Sequence, residues 1–146
     1  MACATEAGRA AREDSTVALV MLDIDHFKEI NDSYGHPYGD YVLAAVAKAL
    51  RAAVRGHDTV ARLGGEEFAL VLPGSSTEAA YDVAERARGL IARIELPEGH
   101  LASSAGVAVT SGEGASASDL LDAADRALYE AKRQGRDRTA LAGTPT

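Results

Sequence analysis

Two spacings of apolar residues alternate along this chain: short continuous runs, which suit strands, and sets recurring every three or four positions, which suit helices. Residues 16–23, Thr-Val-Ala-Leu-Val-Met-Leu-Asp, form a nearly continuous apolar run ending in acid, the pattern of a strand buried on both faces. A short polar stretch follows over 26–32, then a Gly35-His36-Pro37 break and an amphipathic helix over 39–54, with Pro37 suited to its first turn. The runs 59–63 and 68–72 flank Gly64-Gly65, a hairpin signal, because tight turns need positive φ that glycine adopts cheaply. Pro73-Gly74 breaks the chain, and Ser75 with Glu78 forms a capping-box pattern opening a helix to about residue 94. Residues 101–110 predict a strand, although its centre, Ala-Ser-Ser-Ala-Gly over 102–106, is small and weakly β-forming. A Gly/Ser loop over 111–118 leads to a last helix ending at Gln134, and residues 139–142 add an edge strand. Residues 1–15 are Ala-rich with scattered Arg and Glu, a helix or a loose arm. No internal repeat interrupts the alternation, which predicts an α/β (α+β) domain with helices packed on a sheet.

Composition narrows the class. The 146 residues, 47% of them hydrophobic, suit one domain with a sizeable core. A formal net charge of −7 argues against broad nucleic-acid binding, which relies on clustered Lys and Arg, so any phosphate ligand must be handled locally. The single cysteine, Cys3, leaves neither an internal disulfide nor a cysteine-based metal site, which fits a reducing compartment. No apolar run approaches membrane-spanning length and the first residues lack a signal peptide's apolar core. The expectation is a cytoplasmic chain with no membrane contact, or a soluble piece of something larger.

Candidate chemistry gathers at two places. Asp23 ends a buried strand, where side chains emerge into the crevice that usually binds ligands in α/β sheets. Together with one glutamate of Glu66-Glu67 it would suit Mg²⁺, which takes one or two carboxylates plus substrate phosphates. Because strand neighbours point to opposite faces, Glu66 and Glu67 should not share one role. The alternatives are a capping function for Asp23 or Asp25, and a surface hairpin whose acids serve solubility. Near the C-terminus, the i, i+4 spacing of Lys132 and Arg136 would put both on one helix face, with Arg133 and Arg138 adding to a basic cluster. That cluster would hold an anion or simply complement the helix dipole. No histidine pair is backed by cysteines, which excludes a zinc site.

The stretch Asp23-Ile-Asp-His-Phe-Lys-Glu-Ile-Asn-Asp-Ser-Tyr-Gly-His-Pro-Tyr-Gly-Asp40, followed by Arg62-Leu-Gly-Gly-Glu-Glu-Phe68, resembles the GGDEF domain of diguanylate cyclases in its GGEEF form. The resemblance runs from about residue 16 to 140 and includes Ala131-Lys-Arg-Gln-Gly-Arg136. It implies a central, mainly antiparallel five-stranded sheet flanked by helices, like nucleotide cyclases and polymerase palms, over residues 16–142, with 143–146 as a tail. It also implies condensation of two GTP into cyclic di-GMP by a homodimer. Asp23, Glu66 and the Ile24 carbonyl match the Mg²⁺ ligands, with Mn²⁺ as an alternative. Glu66 matches a proton acceptor for the 3′-hydroxyl, Glu67 the second motif acid, and Lys28 a lysine that stabilises phosphate charge. Asn31 and Asp40 match a guanine-reading pair, which fits a carboxylate that accepts from guanine's adjacent N–H donors. His36 matches a nearby contact, Gly64 and Gly65 allow close approach to phosphates, and Lys132 and Arg136 match a triphosphate clamp. Arg55-Gly-His-Asp58 fits the product-inhibition motif at the family spacing from Gly64, with Arg86 as its supporting arginine; the alternative is a surface ion pair. The family's opening Asp-x-Leu-Thr-Gly-Leu-x-Asn-Arg is absent, so the expectation is that residues 1–15 match only the end of a truncated first helix and that a sensory domain is missing. The rival functions are a catalytically silent receptor for GTP or cyclic di-GMP and, more remotely, a GTP hydrolase.

Overall fold

The computed structural model of the protein describes residues 16–111 and 116–143. The expected N-terminal arm over 1–15, residues 112–115 of the Gly/Ser loop and residues 144–146 of the tail lie outside the described residues. Strands β1 (Thr16–Ile24), β2 (Thr59–Gly64), β3 (Glu67–Pro73), β4 (Ser103–Ser111) and β5 (Thr139–Leu141) form one sheet in the order β2-β3-β1-β4-β5. Every pairing is antiparallel except β4 with β5, which is parallel. The most apolar strand, β1, takes the centre. All its residues after Thr16 are buried, as a run without polar alternation requires.

Helices cover both faces. Helices α1 (Phe27–Tyr34), α2 (His36–Ala53) and α3 (Thr77–Ala92) join the larger core, where Val42, Val46, Leu50, Ala84 and Ile91 meet Val20, Leu22, Leu70 and Leu72. On the other face α4 (Ala117–Arg133) lays Leu120, Ala124 and Leu128 on Val17, Leu19, Met21, Ala69 and Val71. Each fully buried leucine of these cores contributes about 1.5–3 kcal/mol through removal from water. Among the described residues no helix is long and apolar enough to cross a membrane.

Three local expectations need correction. Residues 26–32 are no mere polar stretch: Phe27 and Ile30 share a helical face and bury it, so the segment folds as α1. Gly35, at φ 89°, then lets α2 begin at His36 rather than Gly39, with Pro37 in the first turn as its fixed φ favours. The capping box of Ser75 and Glu78 does not form. Ser76 is the N-cap, accepting from the Ala79 N–H, while the buried Ser75 hydroxyl accepts from Arg55 at 3.1 Å.

The weakly β-forming segment sits second from the sheet edge, and α4 explains its composition. Gly106 opposes Met21 on the α4 face. A Cβ added there would lie 2.8 Å from the Ala127 carbonyl carbon and closer still to the Leu128 nitrogen and Ala124 oxygen. Helix backbone rests directly on this strand, which leaves no room for a side chain.

Candidate active site

Asp23 and Glu66 come together because β1 lies beside the hairpin. Asp23 opposes Glu67 across the β1–β3 ladder, and Gly64 opposes Glu67 across β2–β3, leaving Gly65-Glu66 as the two-residue loop. Gly64 at φ 143° and Gly65 at φ 52° make that loop possible. Arg62 Nε closes it by donating to the Gly65 carbonyl at 3.0 Å, and the Ile24 N–H donates to the Glu66 carbonyl at 3.4 Å. The loop is thereby laid against the end of β1. Asp23, Ile24, Lys28, Glu66, Lys132 and Arg136 consequently line one cavity of about 160 Å³.

The cavity is electrostatically divided. Asp23 is 6% exposed, and burial raises its pKa above the ordinary carboxylate value against the opposing pull of Lys132; Glu66 and Asp25 push it up further. Lys132 Nζ pairs with Asp23 Oδ2, whereas Asp23 Oδ1 is buried without a hydrogen-bond partner among the described residues. An orphaned carboxylate oxygen beside a second carboxylate fits a hard cation. Among the described residues no three His, Cys, Asp or Glu side chains form a metal cluster, so a cation here would draw further oxygens from a bound phosphate or water. The adjacent glutamates diverge because Glu66 belongs to the loop and Glu67 begins β3. Glu66 lines the cavity, while Glu67 opposes Asp23 on the α4 face, where burial and then Asp23 raise its pKa. Neither Asp23 nor Asp25 caps α1, whose N-cap is His26 with no side-chain cap bond.

Lys132 and Arg136 reach the cavity from different backbone, and the expectation that they share a helix face is wrong. α4 ends at Arg133 in a Schellman motif: the Gly135 N–H donates to the Lys132 carbonyl at 3.3 Å and the Arg136 N–H to the Ala131 carbonyl at 3.0 Å. Arg136 therefore lies beyond the helix, at φ 65°, and only the turn aims it back toward Asp23. Arg133 and Arg138 do not line the cavity. Arg133 lies 3.5 Å from Glu130, and Arg138 Nε donates to the Arg136 carbonyl at 3.0 Å.

One turn along α1 from Lys28, Asn31 packs against Gly39 of α2. A Cβ on Gly39 would sit 3.0 Å from Asn31 Cγ and 3.2 Å from Phe27 Cζ, so this glycine admits the asparagine. Asn31 Oδ1 is buried without a partner among the described residues, and Asp40 stands exposed next to Gly39. His36 is exposed at the start of α2. None of Asn31, His36 and Asp40 lines the Asp23 cavity; Asn31 belongs to α1, and His36 and Asp40 to the first turns of α2.

Residues 2–138 match the model of the family described as diguanylate cyclase, GGDEF domain. The chain belongs to the GGDEF domain family. This GGDEF domain is 43% identical to diguanylate cyclase DgcP of Pseudomonas aeruginosa over 94% of its own length and 21% of the relative's. It is 40% identical to diguanylate cyclase A of Treponema denticola over 90% of its length and 37% of the relative's. The chain thus spans about a fifth to two fifths of these relatives. Among solved structures, the active GGEEF domain of a diguanylate cyclase from Vibrio cholerae superposes with a TM-score of 0.93 at 34% identity, covering 99% of this chain and 94% of that one. The GGDEF domain of DgcB from Caulobacter crescentus in complex with c-di-GMP gives 0.92 at 32% identity, covering 98% and 87%. The mainly antiparallel five-stranded sheet read from the sequence is the fold these structures share with this domain.

Away from the cavity, the GGDEF domain holds Arg55, Asp58 and Arg86 at the far end of α2. Asp58 has no exposed side-chain surface and accepts from the Arg55 N–H at 2.8 Å and its guanidinium at 3.2 and 3.3 Å. Arg55, half exposed, also donates to the Pro73 carbonyl at 3.2 Å. Arg86 Nε donates to the Ala53 carbonyl at 3.1 Å, two residues before Arg55 in the chain. The ion pair weighed from the sequence exists between Arg55 and Asp58, and Arg86 bonds to the end of α2. Sequence reading missed Arg88 entirely and gave Asp25 only as a cap; both belong to a partly buried polar network under the Arg136 turn. Asp25, two residues beyond Asp23, carried a signal of sorts, whereas Arg88 lies on an amphipathic helix among other charged residues and carried none.

Proposed function

We propose that this domain is the catalytic unit of a diguanylate cyclase, in which two protomers each hold one GTP and join them into cyclic di-GMP. The observation that carries the reading is the convergence of Asp23, Glu66, Lys28, Lys132 and Arg136 on one cavity, with a buried Asp23 oxygen left without a partner. Asp23, Glu66 and the Ile24 carbonyl would hold Mg²⁺ or Mn²⁺. When bound, the ion neutralises phosphate charge and lowers the pKa of a hydroxyl near it.

The chain's own residues supply the rest. Lys132 and Arg136 bind the triphosphate, and Lys28 offsets charge that builds as the α-phosphate reacts. Gly64 and Gly65 let the loop backbone approach those phosphates. Asn31 and Asp40 orient the base, Asp40 accepting from guanine N–H groups that adenine lacks, with His36 nearby. Each 3′-hydroxyl oxygen bonds to the α-phosphorus of the facing GTP, the α–β phosphoanhydride bond breaks, and pyrophosphate leaves with that bond's electrons. Glu66 takes the hydroxyl proton in this reading, while Glu67 on the α4 face sets the field at Asp23. Positioning of the two nucleotides contributes most of the rate. Arg55, Asp58 and Arg86 form the product site, where the half-exposed Arg55 fork suits guanine or phosphate oxygens. The intact pair of Asp23 and Glu66 favours the enzyme over a silent receptor.

The decisive experiment incubates the protein with GTP and Mg²⁺ and identifies the nucleotides formed. Cyclic di-GMP and pyrophosphate are expected from the wild type and none from Asp23→Asn or Glu66→Gln, which keep shape but remove charge. GDP as the product, or unchanged turnover in either variant, overturns the reading.

A further inference from the structure

The turn that carries Arg136 is held in an unusual form. Gly135, Arg136 and Asp137 have φ values of 123°, 65° and 50°, so two side-chain-bearing residues in succession take left-handed backbone. Such residues persist where their surroundings fix them. Asp25 does so from below. Only 6% exposed, it accepts the Asp137 N–H on Oδ2 at 2.9 Å and the fully buried Ser104 hydroxyl on Oδ1 at 2.7 Å. Arg88 does so from the side. Its side chain is 12% exposed, and it donates to Asp137 Oδ1 at 2.6 Å, Glu85 Oε2 at 2.6 Å and the Ser103 carbonyl at 2.9 Å. Glu85 also accepts the Thr139 hydroxyl at 2.5 Å, which fastens the chain just past the turn. Asp137 and Thr139 are thus tied by charged hydrogen bonds to Asp25, just past the end of β1, and to Arg88 and Glu85 of α3.

We propose that Asp25 and Arg88 are positioning residues for phosphate binding, holding the left-handed turn so that Arg136 points into the cavity beside Asp23 and Lys132. Neither would touch the nucleotide; both act through Arg136. The inference rests on the assignment of Arg136 to the triphosphate. A surface arginine on a relaxed turn would spend most of its time in water, losing the ordered geometry on which a charge-assisted contact depends.

The test is a binding cycle on the whole chain, using calorimetry with Mg²⁺ and a GTP analogue that cannot be cleaved between its α and β phosphates. Arg136→Ala is expected to weaken binding about tenfold, the loss of one charged contact. Asp137→Ala removes Arg88's partner at a side chain that is 70% exposed, so the core stays intact. It and Arg88→Met are each expected to cost several-fold, and neither should add to the loss in Arg136→Ala, because the interaction they support is already gone. Asp25→Asn should retain most of the affinity that Asp25→Ala loses, since an amide can accept from the Asp137 N–H and donate to Ser104. Losses that multiply with that of Arg136→Ala, or wild-type binding in both Asp137→Ala and Arg88→Met, overturn the positioning role. Unchanged binding in Arg136→Ala instead overturns the triphosphate assignment itself, and this inference with it.

Discussion

Gly106→Ala adds one methyl group where the backbone of α4 crosses β4. An alanine Cβ would lie 2.8 Å from the Ala127 carbonyl carbon, against the 3.4 Å at which ordinary contact begins, so α4 must lift by at least about 0.6 Å. The obstacle is helix backbone and cannot rotate aside. Lifting the helix loosens Leu120, Ala124 and Leu128 from Leu19, Met21 and Val71, all of them buried. Overpacking of this kind costs about 1–3 kcal/mol, more where the neighbours cannot yield. In a strand with free space, replacing glycine by alanine would instead gain about 0.5–1 kcal/mol. With that gain offsetting part of the cost, a net loss of about 1–2 kcal/mol is expected, more if the α4 backbone does not yield, against the roughly 5–15 kcal/mol that holds a domain together. Urea denaturation followed by circular dichroism reads it as a lower midpoint at unchanged slope. Lys132 lies four residues beyond Leu128 on the same helix, so its pairing with Asp23 should loosen too and nucleotide affinity fall. Stability equal to or above that of wild type would falsify the account of why this strand is small.

Asp40→Asn should weaken GTP binding about tenfold or more and erode preference over ATP, because the new amide can set a donor against guanine's donors; equal titrations for both nucleotides would contradict it. Arg55→Ala should relieve inhibition by cyclic di-GMP without lowering the initial rate, and should also reduce thermal stability, since Asp58 is left buried without its partner. Progress curves with added product separate the cases: inhibition as strong as in wild type leaves only an ion pair there. Glu67 tests the field at the site. Its pKa is raised above the ordinary 4.5 by burial and Asp23, so its ionisation disfavours the fold; stability is full below 4.5 and declines as pH rises through the folded-state value. Glu67→Gln should therefore melt higher than wild type at neutral pH, with the advantage vanishing in acid; a pH-independent difference rules the explanation out.

What the sequence determined by itself lay in contiguous residues. The run Thr16–Ile24 is apolar at every position up to Asp23 save its first, and only a central strand buries both faces of such a run. Gly64-Gly65 between two apolar runs is a hairpin wherever it is placed, because its φ values exclude most other residues. Asp23 at a strand end and the acids at the hairpin were visible on the same terms, as was the divergence of Glu66 and Glu67. The tertiary structure decided whatever depends on a neighbour distant in the chain. Residues 102–106 looked poor as a strand because propensity measures how a residue fills space, and here α4 fills it instead. Arg136 seemed to continue a helix from its i, i+4 spacing, but Gly135 ended that helix and long-range bonds from Asp25 and Arg88 set the direction of the turn. Ser75 read as a cap until Arg55, twenty residues earlier, claimed its hydroxyl. Short-range pattern fixes which faces are buried, because burial follows the period of the backbone; a hydrogen bond between residues 112 positions apart leaves no period to read.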